Sequence, residues 1–78
     1  MKKLILSLFI PLVSFGQTAD EYYFKALKKK NAGDFYGAIE DYTKSIKINP
    51  ISEKAFNGRG LAKFGMGDFY GAIEDYEK

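Results

Sequence analysis

Cysteine and histidine are both absent from the 78 residues. That removes disulfides, thiolate nucleophiles and the imidazole on which most zinc sites and much general-base catalysis depend. Ser45 and Ser52 therefore have no recognisable base, and acyl transfer has no support. No strand pattern precedes any glycine, so no phosphate-cradling loop is present and no cofactor or metal is expected. Charge of one sign is also scarce. The net charge is only +2, and Lys2 and Lys3 account for all of it. With no net basic stripe, nucleic acid is not an expected partner. The single basic run, Lys28-Lys29-Lys30, suits the solvated C-terminal end of a helix, where cations oppose the macrodipole. Long apolar runs are missing too. Leu4 to Val13 is one run of ten positions, too short to span a bilayer as a helix.

What the chain does have is a repeat. Gly33-Asp34-Phe35-Tyr36-Gly37-Ala38-Ile39-Glu40-Asp41-Tyr42 returns unchanged as Gly67-Asp68-Phe69-Tyr70-Gly71-Ala72-Ile73-Glu74-Asp75-Tyr76, 34 residues later. A fixed period in the range of about 20 to 50 residues marks a stacked-repeat architecture.

Residues 1–16 read as a secretory signal peptide: charged Lys2 and Lys3, the apolar run, Pro11 near its end, and small Ser14 and Gly16 before a cut at Gln17. The chain is then exported, to the periplasm or beyond the cell, and its membrane contact is confined to an uncleaved leader. No cysteine follows the run, so no lipid anchor of the lipoprotein type is expected.

Four helices follow. Thr18 and Glu21 have the spacing of a capping box, and a first helix should run to Ala32 with Tyr22, Tyr23, Ala26, Leu27 and Lys30 on one face. Gly33 supplies a left-handed residue to end it. Asp34 caps a second helix whose stripe is Phe35, Ala38, Ile39, Tyr42 and Ile46, ending at Asn49-Pro50. Ser52 caps a third, Glu53 to Met66, with Ile51 and Phe56 placed as a hydrophobic staple. Gly58, Gly60 and Gly65 inside that helix should cost roughly 2 to 3 kcal/mol against alanine, so packing must hold it. Gly60 lies 34 residues after Ala26, a small side chain at the same place in both units. A fourth helix begins at Phe69. Glu40-Asp41 and Glu74-Asp75 diverge by about 100° around their helices and do not converge on one ion. They read as a solvated face, with Glu40 pairing Lys44 and Glu74 pairing Lys78 at i+4.

Taken together these residues resemble the tetratricopeptide repeat, a 34-residue helix-turn-helix unit. The matching features are Tyr22 and Phe56 early in the first helix of each unit, Ala26 and Gly60 one turn later, and the Gly-Asp-aromatic turn. Ala38 with Tyr42, Ala72 with Tyr76, and the closing Pro50 complete the pattern. The resemblance covers Ala19 to Lys78, with residues 17–52 as the first unit and 53–78 as the second. Lys25 and Lys29 depart from the family pattern, standing where apolar or aromatic residues are usual.

The resemblance implies an all-α fold, a short right-handed α-solenoid whose first helices line a concave groove. Groove residues would be Asp20, Tyr23, Leu27 and Lys30 from the first unit and Lys54, Asn57, Leu61 and Phe64 from the second. That strip suits a peptide or protein with apolar anchors and implies a non-catalytic scaffold. For Leu27, Leu61 and Phe64, packing between units competes for the same face. A lysine and asparagine clamp for acidic chaperone tails is not expected, because Tyr23 and Leu27 stand where it would need polar groups. The fourth helix leaves Phe69, Ala72, Ile73 and Tyr76 without a following helix. That stripe points to further repeats in a longer protein, in which this chain is a segment, or to self-association; a segment of an envelope enzyme is a third reading.

Overall fold

The computed structural model describes residues 17–78, so the expected signal peptide, residues 1–16, lies outside the described residues. Within them the protein is all-α, built from α1 (Ala19–Asn31), α2 (Phe35–Ile48), α3 (Glu53–Gly65) and α4 (Phe69–Tyr76). Helices α1 with α2 and α3 with α4 form two hairpins, and α3 also packs on α2 and touches α1. None of these helices is long and apolar enough to cross a membrane.

Local chemistry sets the helix ends. Thr18 accepts from the Glu21 backbone N–H at 3.1 Å, and Glu21 accepts from the Thr18 N–H at 2.8 Å, closing the capping box. At the other end Gly33 adopts φ +87°, which only glycine takes without strain. The Asp34 N–H then reaches Lys29 O at 2.8 Å and the Gly33 N–H reaches Lys30 O at 3.0 Å, the paired bonds of a Schellman stop. The second hairpin repeats this turn: Gly67 has φ +90°, and Asp68 and Gly67 donate to Lys63 O and Phe64 O at the same distances. Asp34 and Asp68 each cap the next helix through the N–H of Gly37 and Gly71, both at 3.0 Å.

The core is made of small residues around one large ring. Ala26, Ala38, Ala62 and Tyr42 are fully buried together, with Tyr23, Phe35 and Ile39 packed against them. The glycines of α3 follow from this. A Cβ at Gly58 would lie 2.5 Å from the Tyr42 ring, and one at Gly65 would lie 2.6 Å from Phe35. At Gly60 it would meet the Tyr76 ring at 2.7 Å and the Ala72 carbonyl at 3.2 Å. The propensity lost in α3 is the condition for two other helices to approach it closely.

Four expectations need correction. Asp41 and Asp75 are not on a solvated face: both are buried and ion-paired, because they stand on the hairpin side of α2 and α4. Correspondingly, neither Glu40 with Lys44 nor Glu74 with Lys78 is among the ion pairs of the described residues. Ile51 is 85% exposed, so the staple with Phe56 leaves most of that side chain in water. Finally, Ala72 is buried against α3 and is not part of the open stripe, and Tyr76, unlike its counterpart Tyr42, keeps nearly half its surface.

Candidate partner-binding groove

The candidate groove is the face shared by α1 and α3, which touch each other. At the N-terminal end of α3, Lys54 reaches across to α1. Its Nζ is 3.0 Å from Asp20 Oδ1 and lies over the rings of Tyr23 at 4.8 Å and Phe24 at 5.6 Å. The structure brings Asp20, Tyr23 and Lys54, three of the residues the resemblance assigns to the groove, within contact of one another. Tyr23 divides its role, because its ring also packs on Tyr42 at 5.7 Å and belongs partly to the core. Phe24, which spacing did not put in the groove, stands edge-on to Tyr23 at 5.2 Å with half its surface open.

Along α3, Leu61 and Phe64 are 50% and 58% exposed, so both offer apolar surface to a partner. Leu27 and Lys30 on α1 are partly buried. Phe64 also leans on Phe69 of α4, with ring centroids 5.1 Å apart. Asn57 is exposed and lines a separate cleft of about 350 Å³ with Glu53, Phe56, Asp75, Tyr76, Glu77 and Lys78.

A cluster of charged side chains links the second hairpin to α2. Asp75 receives a two-pronged bond from Arg59, Nε to Oδ2 at 2.9 Å and NH2 to Oδ1 at 2.8 Å. Lys63 Nζ adds a third contact at 3.1 Å. Arg59 continues to Thr43 Oγ1 at 3.2 Å, whose hydroxyl donates to Ile39 O at 2.7 Å, so one guanidinium ties α4 to α2 through α3. Burial pushes the Asp75 carboxyl up, but the hydrogen bonds from Arg59 and Lys63 outweigh it and hold it below the usual carboxylate range. In the first hairpin the same position, Asp41, meets only Lys29, at 2.8 Å. That contact raises Lys29 above the ordinary lysine value, against a smaller effect of burial. Lys25, which occupies the place of Arg59, turns instead over the Tyr22 ring at 5.6 Å.

No family model matches the chain, and no curated protein matches it.

Spacing alone missed Phe24, Arg59 and the two aspartates. A signal for the aspartates was available: Lys29 and Lys63 recur at the 34-residue period, as do Asp41 and Asp75, and a recurrent Lys/Asp set is a candidate pair. The burial of Tyr42 has a cost of its own. Its hydroxyl has no hydrogen-bond partner among the described residues, and burial, with a smaller effect from Tyr23, pushes its pKa up to about 12.

Proposed function

We propose that this chain is a non-catalytic scaffold of the tetratricopeptide type that holds a peptide or protein segment with apolar anchors along the α1–α3 groove. The observation that carries the reading is Leu61 and Phe64, half-open on successive turns of a helix whose other side is packed with alanine and glycine. A helix normally turns such side chains inward, and leaving two of them in water forfeits apolar burial that a partner would supply. Phe24 on α1 adds a half-open ring, and the exposed Lys54–Asp20 pair joins α1 to α3 nearby in the chain. The 34-residue period and the paired hairpins are what support the family assignment.

The test is selection of binding sequences from a random peptide library on the immobilised full chain. Leu61→Glu and Phe64→Glu should each lower affinity for the selected peptides at least tenfold while melting temperature stays within a few degrees. Tyr36→Glu, in the N-terminal turn of α2, should leave affinity unchanged. Undiminished binding by the Leu61 and Phe64 variants would sink the groove reading.

The proposal includes export, with residues 1–16 as a leader. Terminal sequencing of the protein recovered outside the cytoplasm should start at Gln17; an intact Met1 there would contradict it.

A further inference from the structure

We infer that Asp20, Tyr23 and Phe24 form a site for a lysine side chain of the segment held in the α1–α3 groove, and that Lys54 fills this site until the segment arrives. The inference rests on the groove reading and adds to it a charge that the partner must carry.

Tyr23 and Phe24 stand edge-on to each other, with ring centroids 5.2 Å apart and 76° between their planes, so the two rings make a corner. The faces of aromatic rings attract cations through their quadrupole. Asp20, one turn earlier on α1, adds a carboxylate. What the corner accepts is visible in the structure. Lys54 Nζ lies 4.8 Å from the centroid of Tyr23, 5.6 Å from that of Phe24 and 3.0 Å from Asp20 Oδ1. One ammonium thus meets all three groups.

The repeated unit does not require this corner. At the 34-residue period Asp20, Tyr23 and Phe24 correspond to Lys54, Asn57 and Gly58, and the second hairpin forms without a carboxylate or a ring at any of the three places. Tyr23 has a share in the core, whereas Phe24 lies outside it and leaves 54% of its surface open. A cation-binding role accounts for a large ring that the core does not use.

Lys54 is also easily displaced. Its side chain is 50% exposed and that of Asp20 67%, and an ion pair so open to water holds its members loosely. Exchanging its ammonium for that of a partner conserves the contacts of the corner and returns Lys54 to solvent. The partner's lysine is further placed by α3 itself. Lys54 and Leu61 are seven residues apart on one face of that helix, which spans about 10 Å. An extended segment covers that distance in about three residues, so its lysine stands about three positions from the apolar side chain that meets Leu61.

The probe is Nα-acetyl-lysine methylamide, titrated into the isotopically labelled full chain and followed through the amide and ring signals of residues 20–24. Lys54→Ala, which empties the corner, should bind it at least fivefold more tightly than the unaltered chain, with shifts centred on Asp20, Tyr23 and Phe24. Adding Asp20→Asn to Lys54→Ala should lower that affinity at least threefold. The norleucine analogue of the probe, which lacks the ammonium, should bind at least tenfold more weakly. No binding to Lys54→Ala, equal binding with and without Lys54, equal binding of the norleucine analogue, or shifts centred elsewhere would each overturn the inference. Library-selected peptides that still lose affinity on Leu61→Glu would leave the groove reading standing in that event, so the two readings fail separately.

Discussion

Asp41 and Asp75 occupy the same place in identical decamers, yet their surroundings differ by one side chain. Arg59 reaches Asp75 with two prongs, while Lys25, its counterpart, lies over Tyr22 and leaves Asp41 Oδ2 with the Lys29 ammonium nearby but without a hydrogen-bond donor in line. Removing one partner of a buried charged group costs far more than the pair contributes net. Asp75→Asn should therefore destabilise the fold by about 3 kcal/mol, a large part of what a domain this small possesses. Lys25→Arg should stabilise it by about 1 kcal/mol by recreating the fork at Asp41. Urea melts of the two variants check both signs. The acid limb follows from the same group. Because the folded-state pKa of Asp75 is depressed, its contribution is complete above the ordinary carboxylate value of 3.8 and is lost as pH falls through its lower folded value. Asp75→Asn should flatten stability against pH in that acid window. These aspartates were hard to read from sequence because an apolar stripe is sought by its apolar members. The buried side of α2 includes Asp41 and Ser45 beside Ala38 and Tyr42.

At the scale of the element, ends and interiors were legible to different degrees. Caps, stops and the left-handed glycines act within a few residues, so Thr18, Gly33, Asp34, Pro50, Ser52, Gly67 and Asp68 located the boundaries of α1, α2 and α3 and the start of α4 to within a residue or so. Among the interior glycines of α3 only Gly60, the counterpart of Ala26, was legible as a place of close approach; Gly58 and Gly65 were not, since what they accommodate is carried by α2. Gly58 is the sharpest case. By propensity alone, alanine there should stabilise the helix by about 1 kcal/mol. In the fold its Cβ would stand 2.5 Å from the Tyr42 ring, which is enclosed on all sides and has no room to move. Gly58→Ala should thus lower stability by roughly 2 kcal/mol, the clash exceeding the propensity gain. Gly65→Ala, facing the partly exposed Phe35, should lose less, because that ring can swing outward. A thermal melt in which Gly58→Ala gained stability would mean that the Tyr42 ring can yield to a methyl group at that position.

For the whole molecule, the repeat produces two hairpins of one design in unequal surroundings. In a stack where each unit touches only its neighbours, stability is the sum of unit and interface contributions, so it need not be uniform along the chain. Among the described residues, helix α2 packs against both α1 and α3, whereas α4 packs against α3 alone. The open halves of Phe69, Ile73 and Tyr76 forfeit roughly 2 to 4 kcal/mol of apolar burial relative to their counterparts on α2. Against this, the Arg59 and Lys63 contacts with Asp75 hold α4 more firmly than Lys29 holds α2. Desolvation of Asp75 offsets most of what its ion pairs contribute, so burial of large side chains outweighs the cluster and α4 should open first. Native-state hydrogen exchange should find the amides of Ile73, Asp75 and Tyr76 opening at least 1 kcal/mol more easily than those of Ile39, Asp41 and Tyr42, residue for residue. The identity of the decamers makes this comparison unusually clean, since intrinsic exchange rates match in each pair. Equal opening energies would mean that the two hairpins melt as one unit and that the charged lattice around Arg59 compensates fully for the uncovered face.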